Sequence, residues 1–420
     1  MTTASHSADL AVERVPVVVV GGGPSGLTAA TALAATGVLL LEREAETGGI
    51  PRHSDHPGYG LRDLHRFVSG PAYARRLTAL ARDAGARLET EAQVTGWDGP
   101  RRLLVTSPRG RRIVEAEAVV LATGARERPR PARRIPGDRP EGVYTTGQLQ
   151  QLVHLHHLPV GTRAVVVGAE LVSWSAVMTL REAGCRTVAM TTRFEQAEAY
   201  AAFRALGRTA LRVPVWTRTR VVSIQGRQRV ESVVVEDLDS GQRRTIPCDT
   251  VVTTGDWIPD HELARLASLD LDPGTLGPVV DECLRSSAAG VFAIGNLVHP
   301  VDTADAAALD GRHVADAVRQ ALTGTGPSAQ SRVEVVAGEG FRWVSPQRIE
   351  PGTTPSRDQL LLWPERFARL PRVRVAQRGA LLAERRLPWP ASPGRVFRVP
   401  ASLLAGASPT GGPVTLSLAR

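Results

Sequence analysis

The sequence predicts an α/β protein: two nucleotide-binding-like units of the same design, one inserted in the other, and a small β-rich domain at the C-terminal end. Three observations predict it. Short apolar runs with the length of buried parallel strands, such as Val17–Val20, Val38–Leu41 and Ala118–Leu121, alternate with helical stretches from about Val15 onward. A strand running into a glycine turn and then a helix occurs twice, near residues 20 and 167, as an internal duplication would produce. From Ser328 onward the pattern changes to alternating apolar residues among Pro and Arg, as in Arg372–Gln377 and Arg395–Val399.

The expected division is 14–142 with 259–325 as the outer unit, 143–258 as the inserted unit and 328–420 as the C-terminal domain, with a Gly/Pro/Ser-rich linker at Thr323–Ser331. Its 420 residues are enough for several cores. Hydrophobic residues make up 42% and the mean hydropathy is −0.10, values of a globular chain. No apolar run is long enough to cross a bilayer. The net charge is +9, and all 51 basic residues are Arg. They are scattered and not interleaved with aromatics, which argues against a nucleic-acid partner. Without Lys there is no Lys-based Schiff-base chemistry. The three cysteines, Cys185, Cys248 and Cys283, form no CxxC pair and no zinc motif, and no metal is expected. Met1–Glu13 is polar, has no leader pattern and reads as a disordered tail on a cytoplasmic protein.

The first turn carries the clearest chemistry. Val17–Val20 runs into Gly21-x-Gly23-x-x-Gly26, an Ala-rich helical stretch follows, and the next strand ends in Glu42, 21 positions after Gly21. Gly21 permits the tight turn, Gly23 lets a pyrophosphate approach the backbone, and Gly26 lets helix and strand pack closely. The helix start, at Pro24 and Ser25, aims N–H groups and partial positive charge at the phosphates. Glu42 can accept hydrogen bonds from the adenosine ribose. These features alone leave FAD and NAD both open.

Downstream segments separate the two. A strand leads into Ala122-Thr123-Gly124, and Val291–Ile294 leads into Gly295-Asn296 ahead of a helix beginning near Asp305. With the first turn, this set resembles the two-dinucleotide-binding flavoproteins of the pyridine nucleotide-disulfide oxidoreductase superfamily, from Val15 to about Ala321. The resemblance implies FAD, two Rossmann-like three-layer ββα units, and a cofactor set of Gly21, Gly23, Pro24, Ser25, Gly26, Glu42, Arg43, Gly49, Ile50, Val94, Ala122, Thr123, Gly124, Gly295, Asn296, Asp305 and Ala306. Within it, Val94 would contact adenine through its backbone. Asn296 stands where the family has an Asp on the ribityl chain, and it can still accept a hydrogen bond. The helix N-terminus around Asp305 and Ala306 would face flavin O2 and N1 and favour the reduced anion.

The string Gly48-Gly49-Ile50-Pro51-Arg52-His53-Ser54-Asp55-His56-Pro57-Gly58-Tyr59-Gly60-Leu61, with Ser69–Ala74, narrows the resemblance. It is similar to FAD oxidoreductases encoded beside glycerol-3-phosphate dehydrogenases and, more distantly, to opine oxidase A subunits, dye-linked proline dehydrogenase α subunits and the hydrogen cyanide synthase B subunit. Several of these have Cys where this chain has Ser54, so dithiol chemistry is not expected. His53 and His56 are the candidate catalytic bases. The cluster His154, His156 and His157 reads as helix surface.

The second turn departs from the pattern. After Gly168, Glu170 takes the second glycine position and Ser173 the third. A side chain there intrudes on the pyrophosphate, and its charge repels it by on the order of 1–3 kcal/mol per charge at about 5 Å. NAD(P) binding is therefore doubtful, although Arg193 could meet a 2′-phosphate. The leading expectation is an FAD-dependent dehydrogenase or electron-transfer subunit that acts on an amino acid, opine or hydroxy acid. It would take a small-molecule substrate and could pair with a second flavoprotein subunit, in an oligomer. The alternatives are an NAD(P)H-dependent flavin reductase with an external acceptor, and a non-catalytic assembly subunit that keeps FAD.

Overall fold

A computed structural model describes residues 10–201, 211–325, 332–350 and 358–419. Most of the expected N-terminal tail and most of the linker Thr323–Ser331 lie outside these residues. The tail nevertheless ends earlier than expected. Strand β1 is Val12–Val20, and its first residues pair with Ile113 and Val114, so Val12 and Glu13 belong to the sheet.

The outer unit is a mixed sheet. After β1 come α1 (Pro24–Leu33), β2 (Val38–Leu41), α2 (Gly70–Asp83), β3 (Arg87–Glu89), β4 (Gln93–Trp97), β5 (Arg102–Ser107) and β6 (Gly110–Leu121). The strand order is β3-β2-β1-β6-β5-β4. β1 lies parallel to β2 and β6, with Val20 level with Leu41 and Leu121, so three strand ends meet at one edge. β1 and β2 are apolar and buried over their inner residues, the pattern of strands covered on both faces. This common edge is where a ligand of such a sheet sits.

A two-stranded link, β7 (Ala125–Glu127) against β16 (Trp257–Pro259), leads into and out of the inserted unit. That unit runs β8 (Val143–Thr145), α3 (Thr146–Gln150), β9 (Arg163–Val167), α4 (Leu171–Glu182), β10 (Arg186–Thr191), β11 (Val215–Trp216), the antiparallel set β12 (Thr219–Gln225), β13 (Ser232–Asp237) and β14 (Arg243–Pro247), then β15 (Thr250–Thr253). Its parallel sheet has the order β8-β15-β9-β10-β11. Of the cluster expected as helix surface, His154 lies in a turn of π-helix after α3, half-buried and bonded on both ring nitrogens, while His156 and His157 are exposed just past that turn.

The chain then returns to the outer unit. β17 (Val291–Ala293) pairs with β6, and α5 (Ala304–Thr323) packs against α1. Gly311 makes that packing close: a Cβ there would stand 2.4 Å from Ser25 O. The remaining described residues form two further sheets around their own apolar core. One is β20 (Arg348–Ile349), β18 (Val333–Ala337), β25 (Val414–Leu418), β22 (Arg372–Gln377) and β23 (Ala380–Arg386); the other is β19 (Phe341–Ser345), β21 (Gln359–Pro364) and β24 (Phe397–Pro400). Trp343 and Trp363 stack within this part, while Trp389 is exposed.

Candidate functional site

The first glycine turn is built by close contacts on one side and an open face on the other. Gly21 has φ +109° and donates to Leu41 O; a Cβ on it would lie 2.5 Å from Ala122 O. A Cβ on Gly26 would stand 1.9 Å from Gly21 O. At Gly23, by contrast, nothing lies within 4 Å of where a Cβ would be, and no side chain caps α1. The exposed backbone and the start of α1 therefore face open space, the arrangement a diphosphate needs.

Glu42 is buried at the end of β2. Its Oε2 accepts from Gly22 N at 2.6 Å and its Oε1 from Glu44 N at 2.9 Å. Ala92 N donates to Glu42 O, which brings the start of β4 and Val94 beside it. Arg43 points outward, 3.8 Å from carboxylates of Glu44 and Asp260. Ala122, Thr123 and Gly124 continue from β6, with Thr123 Oγ1 donating to Asp260 O. Gly295 (φ +69°) packs on Ser25, so the β17 segment reaches the glycine turn. Asn296 holds both backbone groups of Asp302: Nδ2 donates to Asp302 O and Oδ1 accepts Asp302 N, each at 3.1 Å. Its side chain braces the loop 296–302.

The histidine-bearing loop spans the distance between the two helix starts. Gly49 (φ +61°) abuts Gly23, whose Cα would be 2.9 Å from a Gly49 Cβ. At the other end Arg62 binds Asp305 at the start of α5, through its backbone N at 3.0 Å and Nη1 at 3.2 Å. Exposed Ile50 and the residues His53, Ser54, His56 and Tyr59 lie on the loop between these anchors.

His53 is buried with no partner on Nδ1. Burial, then the Arg52 charge, lowers its pKa to about 4, so it is a neutral imidazole at working pH. His56 is pushed down as well, chiefly by burial. Its Nδ1 lies 2.9 Å from Pro57 O, which only accepts, so Nδ1 carries the proton and Nε2 the lone pair. Nε2 lies 3.0 Å from Ser54 Oγ, and Gln150 Nε2 donates to the same oxygen at 3.2 Å. The Ser54 hydroxyl therefore donates to His56. Burial pushes the neighbouring Tyr59 phenol up to about 12.

Sequence spacing gave no sign of Gln150 or Arg62 as members of this site. Gln150 arrives from the inserted unit, 96 positions from Ser54. The Arg62–Asp305 pair is separated by 243 positions.

The second turn looks different. Glu170 precedes α4 and is buried; its Oε2 accepts from Ser173 Oγ at 2.8 Å, while Oε1 has no partner. A second buried acid, Glu198, lies beside it. Burial, then the Glu170 charge, pushes the Glu198 carboxyl up to about 8. The C-terminal domain covers both. A Cβ on Gly394 would be 2.8 Å from Glu198 Cβ and 3.0 Å from Glu170 Cβ, and Ser392 Oγ donates to Glu198 O at 3.2 Å. The adjacent Arg395 guanidinium lies 4.3 Å from the Tyr200 ring centre. Two carboxyl groups and the chain's own segment 392–395 thus crowd the second turn.

The family described as pyridine nucleotide-disulphide oxidoreductase matches residues 15–320. The chain belongs to that family. It is a flavoprotein oxidoreductase with the family's nucleotide-binding fold. An opine oxidase subunit of Rhizobium meliloti is 28% identical over 320 residues, 68% of this chain and 59% of that protein. Putidaredoxin reductase of Pseudomonas putida is 27% identical over 67% of this chain and 66% of its own length. The chain thus spans about 59% of the length of the opine oxidase relative. Among solved structures, T. acidophilum thioredoxin reductase superposes with a TM-score of 0.62 at 20% identity, over 73% of this chain and 97% of its own. L-proline dehydrogenase from P. horikoshii gives 0.54 at 19%, over 77% of this chain and 58% of its own. Members of the family bind FAD and use NAD(P)H. The open face at Gly23, the buried acid Glu42 and the orphaned His53 Nδ1 are features that an FAD would fit. No described helix is long and apolar enough to cross a membrane.

Proposed function

We propose that the chain is an FAD-dependent dehydrogenase or electron-transfer subunit that takes electrons from an amino acid, opine or hydroxy acid rather than from NAD(P)H. The observation that carries this reading is the second turn, where Glu170 and Glu198 are buried side by side beneath Gly394. Bound FAD would supply the two-electron acceptor for a substrate C–H bond. The chain's own residues do the rest. Gly21, Gly23 and Gly26 shape the pyrophosphate cradle, with Pro24 and Ser25 opening its helix, and Glu42 takes the adenosine ribose. Arg43 and Val94 flank the adenosine, and Gly49 with Ile50 begins the loop over the cofactor. Ala122, Thr123, Gly124, Gly295 and Asn296 close the other side toward the ribityl chain, and Asp305 with Ala306 starts the helix at its far end.

His56 Nε2 is the base of this site, and because the Ser54 hydroxyl occupies its lone pair it takes up the substrate N–H or O–H proton through Ser54. Ser54 passes its own proton to Nε2 as its oxygen receives the substrate's, with Gln150 holding that oxygen in place. His53, neutral and short of a partner, is suited to a hydrogen bond with ligand rather than to proton transfer. The chain's own cysteines speak against a dithiol route. No cysteine lies in the loop after Glu42 or in the second turn, and burial pushes the thiols of Cys185 and Cys248 up to about 11. Two curated relatives are named as subunits of larger enzymes, one of opine oxidase and one of hydrogen cyanide synthase, which favours a partner subunit here also.

The test is anaerobic mixing of the flavin-loaded protein with amino acids, opines and 2-hydroxy acids while the flavin band is followed. One of these classes is expected to bleach it, and His56→Gln is expected to slow that bleaching about 10²–10⁴-fold. Bleaching at an unchanged rate in the variant would remove His56 from the chemistry.

A further inference from the structure

The start of α5 departs from a bare helix N-terminus. Such an end carries about half a positive charge, which stabilises an anion placed against it. Here Asp305 occupies the first turn. Its side chain is 4% exposed; Oδ1 accepts Ala306 N at 2.9 Å and Oδ2 accepts Arg62 N at 3.0 Å. Thr303 Oγ1 also hydrogen-bonds this carboxylate. One N–H of the helix's positive end is thus taken up internally, and a buried negative charge sits within its first turn. The compensating cation is Arg62, 3.2 Å away, whose side chain is 40% exposed. Solvent screens the exposed cation more than the buried anion, so the balance felt inside is shifted toward negative. The charge of Asp305 is felt within the same loop, where it adds to burial in raising the Tyr59 phenol and the Asp63 carboxyl.

We propose that Asp305 withholds from the flavin the positive charge that the start of α5 would otherwise supply, so that the reduced cofactor keeps its N1 proton and the protein passes electrons to a carrier rather than to dioxygen. This rests on the FAD reading of the site. The balance of charge is simple. Two electrons taken up with two protons leave reduced flavin neutral, while two electrons with one proton leave it anionic at N1. One-electron transfer to dioxygen forms the superoxide anion, which a negative neighbour disfavours and a positive one favours. A carrier that takes electrons together with protons, such as a quinone or a second flavin, carries no such penalty. Asp305 is a positioning residue of the electric field, not a proton donor.

The experiment is potentiometry of the flavin-loaded protein between pH 6 and 8, with aerobic reoxidation as a second readout. For a two-electron couple a tenfold change in equilibrium constant is 29.6 mV, so each proton taken up contributes about 30 mV per pH unit. The wild type is expected to show the two-proton slope, about 59 mV per pH unit, and slow reoxidation. Asp305→Asn is expected to favour reduction by about ten- to hundredfold, about 30–60 mV, to drop toward the one-proton slope and to reoxidise faster in air. Arg62→Gln is expected to shift the midpoint the opposite way. Opposite shifts from the two partners of one ion pair are not what loss of folding would give, and the wild-type slope stands even if a variant fails to fold. A one-proton slope in the wild type, or shifts of the same sign in both variants, would overturn the proposal. A purified protein that takes up no flavin would instead sink the FAD reading beneath it.

Discussion

Gly26→Ala is expected to give a colourless protein. The added methyl would stand 1.9 Å from Gly21 O and 3.3 Å from Ala122 Cβ. Neither neighbour can step aside cheaply. Gly21 is tied by its N–H to Leu41 O, and Ala122 by its N–H to Val20 O. The first turn of α1 must therefore lift off the strand ends, at a cost of about 1–3 kcal/mol or more. It carries away the N–H groups that would hold the pyrophosphate. Flavin content, read as the ratio of the flavin band to the protein band, should fall below about a tenth of wild type, since about 1.4 kcal/mol is already tenfold in affinity. Gly23→Ala is the informative partner. Its methyl would enter open space, so the fold should be kept and the flavin lost, because the methyl occupies the phosphate's place. A Gly23→Ala protein that stays yellow would show that the phosphate lies elsewhere.

Glu198→Gln is expected to stabilise the protein at alkaline pH. The Glu198 carboxyl is pushed up to about 8 in the folded chain, against 4.5 for an ordinary Glu. The sign follows from linkage. Below about pH 4.5 both states hold the proton and the group is neutral to stability. Between 4.5 and 8 the unfolded chain releases the proton and the folded chain keeps it, so stability falls as pH rises. At pH 8 the loss is on the order of 4 kcal/mol. Gln mimics the protonated acid, can accept from Thr192 Oγ1 as Glu198 Oε1 does, and has no proton to release. Melting curves at about pH 5 and pH 8 should show a wild type that weakens with pH and a variant that changes much less. Equal pH dependence would mean that the carboxyl pair under Gly394 is solvated.

The parts of the fold legible in the sequence were those set by neighbours along the chain. The β1–Gly21–α1 opening, the acid after β2 and the second opening at Gly168 each follow from a strand, a turn and a helix in immediate succession. The alternation in 372–377 and 395–399 likewise marked strands. What was not legible depends on distant residues meeting. Gln150 on Ser54, Arg62 on Asp305 and Gly394 on Glu170 join positions tens to hundreds of residues apart, and no local period encodes them. Glu170 shows both limits. It stood out in the sequence as a misfit in a glycine turn, but nothing local hinted that Glu198 lies next to it or that segment 392–395 covers it. The start of α5 shows the same. The family resemblance implied a helix N-terminus facing a flavin, and only the structure shows the Asp305 carboxylate turned back onto Ala306 N with Arg62 against it.

The central claim, that the second turn no longer takes a dinucleotide, is tested most directly by anaerobic titration of the flavin-loaded protein with NADH and NADPH, followed at the flavin band near ~450 nm. The band is expected to persist with both nucleotides at concentrations that reduce a family member with an open second turn. Rapid bleaching by either one would contradict the claim, and would mean that segment 392–395 yields its place and that Glu170 and Glu198 tolerate a diphosphate.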